Sequence, residues 1–157
     1  MGGIIGSSIG SNDTIQYCIN AGWVYGSQSN STVGGIIGKV QTTSATRIIS
    51  SFNTGVIEGN ASLSGAIVGY NQSSTISISN CHFNRQYTLL DGYGSQTHSP
   101  ITGITARTHS DMLMPLSSTL GTTYFASGVN DRFPRHSNTF VNNHPASDVA
   151  SSAMAFI

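Results

Sequence analysis

The chain has 157 residues with six basic and six acidic side chains, and only 8% of its residues are charged, against roughly 25% in an ordinary globular domain. Zero net charge, with no basic arm and no run of like charges, gives no electrostatic basis for nucleic acid or an anionic membrane as partner. No stretch reaches the roughly 18–20 apolar residues of a membrane span, and no charged segment followed by an apolar one opens the chain as a leader would.

Polar character falls instead to Ser, Thr, Asn and Gly, which suit short strands and tight turns better than exposed helices. The first such strand lies in GGIIG at Gly2–Gly6. The block returns letter for letter at Gly34–Gly38, and as GAIVG at Gly65–Gly69. Between the first two copies, Cys18-Ile19-Asn20-Ala21-Gly22 falls over Ser51-Phe52-Asn53-Thr54-Gly55, and Trp23-Val24-Tyr25-Gly26 over Val56-Ile57-Glu58-Gly59. The third unit keeps Asn80-Cys81 and then diverges.

Each unit predicts three short strands, in the second GIIGKV, TRIISSF and GVIEG, each rich in β-branched or aromatic residues and bounded by turn formers. No window carries a helical period. A repeat of about 31 residues with three strands describes one coil of a parallel β-helix, or β-solenoid, whose coils stack at about 4.8 Å. On this reading the protein is all-β, with about three coils and a non-repeating C-terminal cap. Ile4, Ile36 and Ile67 form an inward file, and the recurring glycines supply corners with positive φ.

From about Tyr87 the repeat is lost. Residues 1–86 are expected to hold the repeats, 87–140 a cap and loop region, and 141–157 an extended tail leading to a following domain. Within the cap, Thr108 or Ser110 is placed to start a short helix carrying Met112, Leu113 and Leu116, with Pro115 limiting it. TTYFASG reads as a further strand. Because the chain opens on a repeat and ends on the apolar SSAMAFI, it is expected to be part of a longer protein.

The blocks Gly3-Ile4-Ile5-Gly6, Gly35-Ile36-Ile37-Gly38 and Ala66-Ile67-Val68-Gly69 resemble the GLUG motif, a short repeat of large bacterial surface and secreted proteins. SNCHFNRQY at Ser79–Tyr87 is similar to the asparagine-cysteine-aromatic segment that closes such arrays in Bacteroidetes proteins. THSDML, YFASGVNDRFPRHSN and NNHPAS are similar to the stretch downstream of that segment in those proteins, so the resemblance covers nearly the whole chain. Ala66 departs from the motif glycine. The resemblance implies a β-helical stalk in an extracellular or cell-surface, adhesin-like protein, with no reaction, cofactor or catalytic residue to carry over. Its partners would be host or environmental glycans or surface proteins.

The residues leave two other functions open. Exposed Trp23, Tyr25 and Tyr70 offer apolar faces with polar handles that suit sugar rings, as in a carbohydrate-binding module. A β-helix polysaccharide lyase or hydrolase needs carboxylates brought to one bond, and within the repeats only Asp13 and Glu58 are candidates, on different elements. The five histidines, His82, His98, His109, His136 and His144, show no metal-ligand spacing. Cys18 and Cys81 fall on the same position two coils apart, about 9.6 Å, too far for a disulfide. They are expected as free, largely buried thiols. An unpaired first coil is expected to template self-association.

Overall fold

The first glycine block ends in a strand, Ile5–Ser8; its equivalent Ile37–Val40 pairs with it, and Val68–Asn71 pairs in turn with Ile37–Val40, in one parallel sheet. The register runs Ile5, Ile37, Val68, so each strand lies beside the strand one repeat earlier. The computed structural model describes residues 1–10, 12–43, 45–96 and 101–113, with the two short strands 125–126 and 135–136. The described protein is all-β apart from one short helix, and its principal sheets are parallel. The expected tail at 141–157, with Pro115 and Leu116, lies outside these residues.

A second parallel sheet joins Thr14–Gln16, Arg47–Ile49 and Ser77–Ser79, and puts Ile15, Ile48 and Ile78 in one buried file. A third joins Ile19–Asn20, Phe52–Asn53 and Cys81–Asn84. The pairs Val24–Tyr25 with Ile57–Glu58 and Val33–Gly34 with Ser64–Gly65 are also parallel. Ile37–Val40 and Arg47–Ile49 belong to different sheets, so no hairpin joins them. The second repeat therefore carries five short strands where three were expected, and TRIISSF divides in two at Ser50.

That division is a corner, and it corrects the expectation that glycines supply positive φ. Among the described residues none of the repeats' motif glycines has positive φ, and the three repeats turn this corner on Tyr17, Ser50 and Asn80, with φ of 55°, 45° and 51°. Each is followed by a small side chain that donates back across the corner. Cys18 Sγ reaches the Gln16 carbonyl at 3.4 Å, Ser51 Oγ that of Ile49 at 2.9 Å, and Cys81 Sγ that of Ser79 at 3.5 Å. Bonding of this kind helps hold a conformation that is costly for a residue with a Cβ.

Pairing continues past residue 86. Tyr93–Gln96 adds to the first sheet beside Val68–Asn71, and Ile104–Arg107 to the third beside Cys81–Asn84. In this fourth row Ile104 stands at the Cys81 position and has no side-chain donor, and the corner residue before it is Gly103, with φ of 83°. Glycine adopts that conformation without help.

The main core holds Ile36, Ile37, Val40, Ile48, Ile67 and Val68, all fully buried. Ile4 keeps the register, donating its N–H to the Ile36 carbonyl, but is 43% exposed and no part of the buried file. It stands in the outermost described repeat, with no further described strand beyond it. Alternation along the third sheet turns Phe83 inward and Phe52 outward. Phe52 is covered there by Met112 of the helix His109–Leu113. Thr108 caps that helix, its Oγ1 accepting from the Asp111 N–H while the Asp111 carboxylate accepts from the Thr108 N–H. Phe125–Ala126, inside the expected TTYFASG strand, pairs antiparallel with Arg135–His136.

Candidate functional site

Val24–Tyr25 lies parallel to Ile57–Glu58, with Val24 opposite Ile57 and Tyr25 opposite Glu58. Val24 and Ile57 point inward and pack with Val33 and Leu90. Neighbours along a strand face opposite sides, so Trp23 and Tyr25 point outward, 66% and 51% exposed. Their ring centroids are 5.7 Å apart and the planes are tilted by 40°. The same register sets Val56 beside Trp23, and the Val24 N–H donates to the Val56 carbonyl at 2.9 Å.

Next to this pair runs an open groove of about 300 Å³, lined by Val56, Ile57, Glu58, Gly59, Tyr87, Leu89 and Leu90. Its far wall is the segment after Asn84, which is tied down by hydrogen bonds. Asn84 Oδ1 accepts from the Gln86 N–H at 2.9 Å, and buried Thr88 donates from Oγ1 to the Gly55 carbonyl at 3.1 Å. Leu89 is left 98% exposed.

The aromatic residues singled out in the sequence do not form one platform. Tyr70 stands on Val68–Asn71 in the first sheet, half-buried, with the Lys39 ammonium 5.9 Å from its ring centre. The carboxylates are also apart. Asp13 is held in a turn by Ser8 Oγ at 2.5 Å and the Gly10 N–H at 3.2 Å, whereas Glu58 is on the Ile57–Glu58 strand. Among the described residues no group of three or more His, Cys, Asp or Glu is placed to hold a metal ion. Val56, Tyr87, Leu89 and Leu90 are part of the face without any sequence signal having singled them out. Val56 and Glu58 were within reach, since the repeat alignment sets them under Trp23 and Tyr25.

A second unusual group lies beneath the helix. His82 is 2% exposed, and Arg107 Nε donates to its Nδ1 at 3.0 Å. Nε2 is buried without a partner. Burial, and then the Arg107 charge, push this imidazole down to about 4. The two cysteines are free. Burial raises both thiols, Cys81 to about 11, which keeps them protonated corner donors.

No family model, curated protein or solved structure matches the chain.

Proposed function

We propose that the chain is a structural segment of a bacterial cell-surface protein, a parallel β-solenoid of three GLUG-type repeats and a partial fourth. Stacked repeats make a stiff rod that projects other domains, with outward Ser, Thr and Asn as its solvated skin. The observation that carries this reading is the single register Ile5, Ile37, Val68, Tyr93, in which every neighbour is the same position of the next row. A sheet built by stacking lengthens by one strand spacing per unit, and each unit contacts only its neighbours. The adhesin-like, extracellular setting rests on the motif resemblance and on the uncharged polar composition.

The register supplies the test. Val33 pairs with Ser64 and Gly34 with Gly65, so deleting residues 34–64 joins Val33 to Gly65 in phase. The shortened protein should fold and lose about 4.8 Å of length in small-angle scattering. Loss of folding, or an unchanged long dimension, argues against a modular rod. Protease shaving of intact source cells tests the surface location. Release of reducing ends from mixed polysaccharides would replace the structural reading with a lyase or hydrolase.

A further inference from the structure

We infer that the face carrying Trp23, Tyr25 and Glu58 binds a single chain of neutral, β-linked pyranose sugars. Gluco-configured units of this kind carry their ring substituents equatorially, which leaves axial C–H groups on the ring faces. Those faces are apolar and stack on aromatic rings, while the rim seeks hydrogen bonds.

The site offers both. Trp23 and Tyr25 stand on one outward side of a strand, more than half exposed, on a backbone fixed by parallel pairing. Their centroid separation of 5.7 Å is close to the length of one sugar unit in an extended glycan. Their 40° tilt suits a chain that twists from unit to unit, and does not suit a flat crystalline surface. Glu58 lies directly across from Tyr25 and lines the adjoining groove, where its carboxylate accepts from ring hydroxyls. Tyr87 supplies a third exposed aromatic on the opposite wall.

Charge narrows the ligand. Among the described residues Glu58 is the one acidic or basic residue of the Asp, Glu, Lys and Arg types lining the groove, and Lys39 is engaged over Tyr70 on another sheet. An acidic sugar would meet a carboxylate and no cation, so the occupant is neutral.

The chain contains one tryptophan, and it stands in this face, so intrinsic fluorescence reads the site directly. Cellohexaose and chitohexaose are titrated as neutral probes, oligogalacturonate as the acidic one, and crystalline cellulose is used in a pull-down. At least one neutral hexasaccharide should shift Trp23 emission saturably. Tyr25→Ala should weaken that binding about tenfold, the scale of one aromatic contact. Glu58→Gln should weaken it less than Glu58→Ala. Trp23→Ala, followed by calorimetry, should abolish it with an unchanged circular dichroism spectrum. No response to either neutral probe at millimolar concentration overturns the inference. So does equal binding of oligogalacturonate, retention on crystalline cellulose alone, or binding that survives both aromatic substitutions.

Discussion

Gly6 and Gly69 close two copies of the same five-residue motif, yet their surroundings differ. A methyl group added at Gly69 would run into the Gly38 carbonyl oxygen and lie 2.6 Å from the Val33 carbonyl oxygen, where ordinary contact begins at 3.4 Å. One added at Gly6 would meet nothing within 4 Å. Neither position has positive φ, so the difference is steric. Overpacking against backbone costs about 1–3 kcal/mol, and Gly→Ala returns about 0.4–1 kcal/mol by restricting the unfolded chain. Gly69→Ala should therefore destabilise by about 1.3 kcal/mol net, lowering Tm by ~3–5 °C in a chain of this size. Gly6→Ala should be neutral or stabilising by up to about 1 kcal/mol. Thermal melts followed by circular dichroism at matched concentration measure both. Equal losses for the two variants, or a harmless Gly69→Ala, would show that close stacking of neighbouring rows is not what the motif glycine serves.

Asn53 is fully buried, accepting from Asn20 Nδ2 at 2.7 Å and the Gly55 N–H at 3.0 Å; Asn53→Ala removes the acceptor of the Gly55 N–H and leaves Asn20 Nδ2 with only the Gly22 carbonyl, and should cost about 1–3 kcal/mol in urea unfolding. Iodoacetamide on the native protein should label half-buried Cys18 well before Cys81, and both after unfolding without reductant; mass spectrometry showing a Cys18–Cys81 bridge would break the register. The His82 pKa is lowered on folding from 6.5 to about 4, so the unfolded chain takes up the proton first and stability falls as pH drops from 6.5 towards 4. His82→Gln should flatten that part of the profile, and urea midpoints at about pH 7 and about pH 4.5 that move equally in both proteins would refute it. The edge strand Ile5–Ser8, flanked by exposed Met1, Ile4 and Ile9, should promote self-association; a concentration-independent monomer in sedimentation velocity would show that the edge is protected.

How much of the fold is legible in the sequence depends on what each residue is there to do. Recurrence of GIIG leads directly to the parallel register, because stacking puts like on like. The repeat alignment rightly sets Cys18, Ser51 and Cys81 on one file, but as packing residues. Their role as corner donors is hidden, since Tyr17, Ser50 and Asn80 share no side-chain chemistry that marks left-handed backbone. The glycines read as corners, when at Gly69 the constraint is the approach of neighbouring backbone. Ala66 becomes intelligible only with the third sheet in view. A methyl group added at Gly35 would run into the Ala66 carbonyl oxygen and lie 2.7 Å from the Asn53 side chain, whereas the register partner of Asn53 in the next repeat is Phe83, and there Ala66 joins the same apolar cluster. The fourth row is not visible in the sequence because Tyr93 and Ile104 carry none of the motif and arrive at a shorter interval.

The loss of the repeat after Asn84 is also what creates the candidate site. Had the third unit supplied a strand equivalent to Ile57–Glu58, it would have paired with that edge and filled the space beside it. Instead the segment 87–90 crosses at that level, tied down by Thr88 on the Gly55 carbonyl, and leaves a groove between itself and the Ile57–Glu58 strand. Regular stacking provides the rigid two-stranded platform under Trp23 and Tyr25. The irregular segment provides the concavity beside it. A face of this kind needs both, which places it where a repeating array gives way to a sequence that no longer repeats.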